Sequence, residues 1–374
     1  MRTATCLTAL ALVGFVALGR ADDKPPEPKQ AEKPKVEVVF CLDTTGSMGG
    51  LIDGAKAKIW AICNQIAGGK PTPQLKVGLV AFRDKGDEYV TKVTDLTDDL
   101  DAIYAELKKF AAGGGGDGPE AVNQALDDSV NKVKWSDDKK TLRIIFLVGD
   151  APPHMDYMDD VKFPETCKKA CEKGIIINSI QCGNNAECAK FWKEICVKAE
   201  GSYVNIAQDG GVQPVVATPF DKRLGEINAE VARTTLVFGD RDRQDQLLRQ
   251  NREAEGLKED AAAGRIAFQA KNKQAAAYDL LDNLKSGKAD LNKLNENKEL
   301  LPPELKDKTV EQQKAYLADL DKKRDGLLKE AAELDKKRQD FIQAKQAEEA
   351  KKAGFDGQVL EMLRNQAKKA GIDY

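Results

Sequence analysis

The chain has 374 residues, more than one ordinary core accommodates, so two structural regions are expected. Its 58 basic and 61 acidic residues leave a formal charge of −3, which provides no whole-protein field to hold nucleic acid or an anionic membrane. Composition shifts along the chain: β-branched apolar runs, all three Trp and all eight Cys fall in the first two thirds, and the rest is rich in Lys, Glu, Ala, Asp and Gln.

The N-terminus reads as a secretory signal peptide over residues 1–21, with Arg2, an apolar stretch from Leu7 to Leu18, and small residues Gly19 and Ala21 before the cut. About a dozen apolar residues fall short of the ~20 that a membrane span needs. The mature chain is therefore expected outside the cytoplasm, secreted or periplasmic, with no stable span. Residues 22–35 are rich in Pro, Lys and Glu and have little to bury, which predicts a disordered tether. Cleavage removes Cys6 and leaves seven thiols in a compartment that permits disulfides. Cys41 and Cys63 sit among apolar residues and read as small buried hydrophobes. The other five allow one or two bridges from Cys167 or Cys171 to Cys182 or Cys188, with connectivity open. Zinc is disfavoured, because paired CxxC knuckles and neighbouring His are lacking.

From Val36 apolar runs and amphipathic segments alternate. VEVVFCL (36–42) predicts a buried strand, and Leu51, Ala55, Ile59, Ile62 and Ile66 follow at helical spacing. KVGLVAF (76–82) predicts a second strand and EYVTKV (88–93) an edge strand. Leu100, Ile103, Tyr104, Leu107 and Phe110 mark a helix, and a glycine run leads to another around Val122, Ala125, Leu126 and Val130. LRIIFLV (142–148), IIINSI (175–180) and SYVNIA (202–207) complete the strands, with helices near 164–173 and 186–199. This alternation predicts an α/β fold with a doubly wound, mostly parallel sheet, which binds ligands beyond the C-terminal ends of its strands.

Beyond about residue 225 the strand signal fades, apart from TTLVF at 234–238, and residues 226–374 read as an α-helical, coiled-coil-like region. Leu320, Leu327, Leu334 and Phe341 lie one heptad apart, and LDKKRD at 320 returns as LDKKRQ at 334. This seam offers a route to a helical hairpin or a homo-oligomer. Pro302 and Pro303 are expected to divide the helical segments.

The chemistry lies after the first strand, where DTTGSM places Asp43, Thr45 and Ser47 on alternate positions of a tight loop. Such spacing lets a carboxylate and two hydroxyls converge on one hard cation, which favours oxygen ligands and retains some water. Two later loops add acids at the same sheet edge: GGGGDGPEAV with Asp117 and Glu120, and GDAPPH with Asp150. On these motifs, residues 36–215 resemble the von Willebrand factor type A, or integrin I-like, domains, with a Rossmann-like fold and a metal-ion-dependent adhesion site. DGPE and DAPPH are most similar to the integrin β-subunit I-like domain and to the type A domain that accompanies some alpha-type kinases.

The resemblance implies that Asp43, Thr45 and Ser47 form the first ligand loop, Glu120 the second and Asp150 the third. Many members carry a Thr in the second loop, and the departure here leaves either Glu120 or Asp117 to reach the main ion. It further implies that Asp117 can help to hold a second cation. The cofactor is then Mg²⁺, or Mn²⁺ or Ca²⁺, and the partner a protein presenting Asp or Glu to the ion. On this reading the type A domain occupies 36–225 and the protein is a non-enzymatic adhesion or scaffold module. A metal-assisted hydrolase and a structural protein whose helical tail carries the biology are the competing readings. His154, the single histidine, reads as a loop hydrogen-bonding group. Ser47 is no nucleophile elbow, and the glycine run lacks the Lys and Ser/Thr of a phosphate loop. Trp60 and Trp192 occupy helical core positions.

Overall fold

The computed structural model describes residues 33–116, 118–209, 216–348, 355–368 and 371–374. The expected signal peptide, residues 22–32 of the tether, and Asp117 lie outside them. The first half alternates as its apolar pattern dictates: β1 (Lys35–Asp43), α1 (Gly49–Ile66), β2 (Gln74–Phe82), β3 (Thr91–Thr97), α2 (Leu100–Lys109), α3 (Val122–Asn131), β4 (Leu142–Gly149), α4 (Phe163–Glu172), β5 (Ile175–Cys182), α5 (Ala186–Lys198) and β6 (Tyr203–Ile206).

The six strands form one sheet in the order β3-β2-β1-β4-β5-β6, parallel except for the β2–β3 pair. Because successive side chains of a strand face opposite sides, Val38, Phe40 and Leu42 enter the core beneath α1 and α2. Val39 and Cys41 enter the other core, beneath α3, α4 and α5. Strand order reverses between β1 and β4, which opens a crevice beyond their C-terminal ends. Asp43 closes β1 and Asp150 follows β4 at that crevice.

Several sequence expectations shift. The edge strand begins at Thr91 rather than Glu88, because Tyr89 leaves the ladder to bond the Thr44 hydroxyl at 2.7 Å and to lie beneath the Arg83 guanidinium. The TTLVF run forms no extended strand: Val237 makes a single bridge to Asp279. All seven cysteines after Cys6 are free. The bridges considered from Cys167 to Cys182 are opposed by the sheet itself, since Cys182 packs beneath α1 and Cys167 and Cys188 pack on the opposite face. Trp60 and Trp192 are buried as expected, and the indole N–H of Trp192 donates to the Ala151 carbonyl at 2.9 Å.

The second half is helical: α6 (Asp221–Ala232), α7 (Arg241–Glu255), α8 (Glu259–Asn272), short helices α9 (Leu280–Lys285), α10 (Leu291–Glu296) and α11 (Pro303–Lys306), then the long α12 (Val310–Glu348) and α13 (Phe355–Ala367). Pro303 opens α11, where a missing N–H costs nothing. The heptad stripe of α12 packs on this chain's own helices. Leu327, Leu328 and Ala331 join Leu224, Ile227, Val231 and Ile266, with Leu334 beside them, and Leu320 lies against Leu236, Leu280 and Leu317.

The repeated LDKKR strings do equivalent work two heptads apart. Arg324 donates to both Asp279 oxygens at 2.6 and 2.8 Å, and Arg338 donates to Asp221 at 2.6 Å. Asp321 pairs with Lys285, and Asp335 with Lys271 at 2.8 Å. Both arginine pairs are buried, so they fix the register of α12 more than they add net stability.

The chain then returns to the sheet. Val359, Met362, Leu363, Ala367 and Ile372 are buried in the core beneath α1. Gln366 and Asn178 of β5 exchange hydrogen bonds at 3.1 and 2.7 Å, and Lys70 and Asp373 exchange backbone hydrogen bonds at 2.7 and 3.1 Å. Truncating fully buried Leu363 to Ala should cost about 2–5 kcal/mol of unfolding free energy. Urea melts followed by tryptophan fluorescence read this directly, and an unchanged midpoint would show that α13 lies outside the cooperative unit.

Candidate metal centre

The first loop turns sharply because alternate side chains take opposite tasks. Thr44 points away from the crevice, donating its hydroxyl to the Phe82 carbonyl at 2.9 Å. Asp43, Thr45 and Ser47 share the other side. The Thr45 backbone N–H and hydroxyl both donate to Asp43 Oδ1, at 2.8 and 2.6 Å, and the Thr45 and Ser47 hydroxyls are 3.4 Å apart. Asp43 is 0% exposed, yet its Oδ2 is buried without a hydrogen bond.

Backbone bonds fasten the second loop to the first. Gly113 N–H donates to the Thr44 carbonyl at 3.1 Å and Gly46 N–H to the Gly114 carbonyl at 3.2 Å. Gly115 adopts φ +75°, and a Cβ there would lie 2.9 Å from Glu120 Oε1 and 3.3 Å from Thr45 Cβ. Only glycine meets both demands, which explains a run that is no phosphate loop. That close approach also places the Glu120 carboxylate beside the first loop. Glu120 is 4% exposed, and its Oε2 is likewise buried without a partner.

The third loop is fastened to the second. Glu120 N–H donates to the Pro152 carbonyl at 2.9 Å, and His154 N–H to the Glu120 carbonyl at 3.1 Å. Gly149 lets β4 approach β1 so closely that a Cβ there would stand 2.8 Å from Asp43 Cβ, so Asp150 follows immediately beside Asp43. Asp150 Oδ2 accepts from Gln208 Nε2 at 2.6 Å. Asp43, Thr45, Ser47, Glu120 and Asp150 thus meet at one end of the sheet.

His154 has the supporting role expected of it. Its Nδ1 lies 2.9 Å from Asp156, its Nε2 3.4 Å from Asp84, and its ring stacks on Tyr157 at 3.9 Å. Sequence reading missed the residues that brace the loops. Buried Arg83 donates to the Thr44 and Ala111 carbonyls at 3.2 and 2.7 Å, Asp87 accepts from Gly115 N–H at 2.9 Å, and Asp84 accepts from the Tyr157 hydroxyl at 2.8 and 3.0 Å. The charged run RDKGDEY after β2 was their one visible signal, and Gln208 had none.

Electrostatics at this end is one-sided. Burial, and then the charges of Asp43, Asp84, Asp87 and Asp150, push the Glu120 carboxyl up to about 9. Burial is also the largest influence on Asp43, which rises to about 7 with the Asp150 charge adding to it and the Thr45 hydrogen bonds opposing it. The nearby cations are turned elsewhere: Arg83 to backbone carbonyls and Glu88, Lys85 to Asp159 and Asp160. The donors are oxygens only, hydroxyl and carboxylate, which suits a hard divalent cation. Among the described residues, no three or more His, Cys, Asp or Glu side chains form a ready-made cluster, so any ion here draws on the Thr45 and Ser47 hydroxyls and on water. The two orphaned carboxylate oxygens fit such an ion, since buried charge without a counter-charge is costly.

Residues 37–218 match the family model of the von Willebrand factor A domain. The chain carries a von Willebrand factor A domain. Among curated proteins, it is 38% identical to mouse von Willebrand factor A domain-containing protein 7 over 120 residues, 32% of this chain and 12% of that protein. The human protein of the same name is 30% identical over 144 residues, 38% of this chain and 15% of that one. The matched segment is thus a small fraction of these relatives' length. A mussel-byssus structure, proximal thread matrix protein 1 with a zinc-occupied MIDAS motif, is 15% identical over 47% of this chain and 43% of its own. The two superpose with a TM-score of 0.38.

Because the folded state raises both carboxyls above their unfolded values of about 4, it favours their protonated forms. In chelator, that contribution is full below pH ~4 and is lost as pH rises through about 7 for Asp43 and about 9 for Glu120. The two carboxyls should therefore lower the melting temperature in chelator progressively between about pH 4 and 9, with Glu120 alone acting above about 7, and saturating Mg²⁺ should flatten the decline. Parallel curves with and without Mg²⁺ would remove the site's part in it.

Proposed function

We propose that the von Willebrand factor A domain is a cation-dependent protein-binding module, acting in adhesion or scaffolding. The observation that carries this reading is the pair of buried carboxylate oxygens, on Asp43 and Glu120, left without partners just beneath exposed Ser47 and half-exposed Asp150. In this reading Asp43, Thr45, Ser47, Glu120 and Asp150 hold Mg²⁺, or Mn²⁺ or Ca²⁺. A bound divalent ion there supplies an electrophilic contact for a carboxylate oxygen. The chain's own residues do the rest. Arg83 and the glycine run hold the first two loops in register, Glu120 ties its loop to the third, and the His154–Tyr157 stack props the third against Asp84.

A partner presenting Asp or Glu would meet this end of the sheet. The loop after Asp150 offers it apolar surface, with Met155 39% and Met158 95% exposed. Methionine side chains adapt to varied shapes, which suits a rim that meets a protein surface. Hydrolysis is the weaker reading, because the one histidine is engaged by Asp156, Asp84 and Tyr157. The N-terminal signal-like stretch supports export to a secreted or periplasmic location, and among the described residues no helix is long and apolar enough to cross a membrane. We further assign the residues before α6 to the ligand-binding unit and α6 onwards to a helical region that braces it through α8 and α13, which moves the expected boundary at 225 back to Asp221, since α6 packs as one helix on α8 and α12.

Calorimetry on the full chain tests this reading. Wild type should bind Mg²⁺ or Mn²⁺ and retain partner capture only in the presence of the ion, and Asp43→Ala should lose both. Capture unchanged in a variant that binds no metal would contradict the role of the ion.

A further inference from the structure

The loop after β6 lies outside the three loops that the DTTGSM, DGPE and DAPPH motifs mark, yet it touches the same site. Gln208 donates from Nε2 to Asp150 Oδ2 at 2.6 Å. The amide nitrogen must face the carboxylate, since an ionised carboxylate only accepts. The next residue, Asp209, lies against the start of α1, where a Cβ on Gly50 would stand 3.2 Å from Asp209 Cβ.

The place of the Gln208 side chain is prepared by the end of β5. Gly183 has φ +73°, and a Cβ there would lie 2.0 Å from Gln208 Oε1, so any other residue would evict the amide. Gly183 itself is pinned: its N–H donates to the Ile206 carbonyl at 3.0 Å, and its carbonyl accepts from Asn205 Nδ2. Two strand ends thus combine to hold one amide against one carboxylate oxygen.

The geometry points to Gln208 as a positioning residue that sets which divalent ion the site prefers, an inference that rests on the metal-binding reading proposed above. With Oδ2 engaged by the amide, Asp150 has only its second oxygen to offer an ion or an ion-bound water. Mg²⁺ takes six ligands in a near-ideal octahedron, which suits carboxylates that offer one oxygen, whereas Ca²⁺ accepts up to eight ligands and gains from carboxylates free to offer both oxygens. Gln208 therefore disfavours the larger ion. Groups that orient a ligand in this way typically govern about 10–100-fold in metal affinity.

The test uses the full chain and inorganic Mg²⁺ and Ca²⁺, with calorimetric affinities for wild type, Gln208→Leu and Gly183→Ala. Gln208→Leu keeps the bulk of an exposed side chain and removes its donor, and the melting curve of the metal-free variant serves as the control that it folds. The Mg²⁺ to Ca²⁺ affinity ratio should fall about tenfold. Gly183→Ala should lower the ratio in the same direction by displacing the amide. A ratio that stays at the wild-type value in Gln208→Leu overturns the assignment. A wild-type chain that binds neither ion overturns the metal-binding reading instead.

Discussion

Asp43 and Glu120 each bring a carboxylate into the interior and leave one oxygen there without a hydrogen bond. Such an arrangement is unstable as it stands, because a buried charge needs a counter-charge or a proton. Here the nearest cations are committed to other groups, and the acids around Glu120 reinforce one another. The organisation of the whole sheet end follows from this deficit. Loops that would otherwise drift apart under repulsion are stitched together by backbone hydrogen bonds between Gly113 and Thr44, Gly46 and Gly114, and Glu120 and Pro152. Under the proposed reading a divalent cation supplies the missing charge, and the partner's carboxylate completes its environment.

The fold makes that convergence inexpensive. Reversal of strand order between β1 and β4 opens the crevice, and glycines at 115 and 149 let three loops approach within contact of one another. Rigidity comes from elsewhere. Cores on both faces fix the strands, and α13 returns from the far end of the chain to complete the face beneath α1, the helix that begins directly after Ser47 and Met48. The platform of α6 to α12 is held by its own repeated pairs, Arg324 with Asp279 and Arg338 with Asp221.

Much of this was legible in the residues. Apolar patterns located the other five strands and the helices of the sheet region, because those elements bury a face, whereas the edge strand β3, which buries none of its residues, was displaced from 88–93 to Thr91–Thr97. DTTGSM, Glu120 and Asp150 stood out together because the strand and helix alternation puts all three of their loops at one edge of the sheet, although any one of them alone is a common string. What escaped were interactions between segments distant in sequence. Gln208 carries no local signal, Arg83 looks like any surface arginine after a strand, and Tyr89 leaves the β3 ladder only because Thr44 and Arg83 lie nearby in space. The LDKKR repeat was visible, but its periodicity could not say whether the seam meets a second copy or this chain's own α6, α8 and α9. The positions of Asp279 and Asp221, unmarked in sequence, decided that.

The central claim is that oxygens from three loops surround a divalent cation. Crystals of the full chain grown with Mn²⁺ and measured for anomalous scattering address it most directly. An anomalous peak within coordination distance of Asp43 or Glu120 and of the Ser47 and Thr45 hydroxyls is the predicted result. A map with no peak there, and with those carboxylates bonded to protons, water or a protein cation, would contradict it.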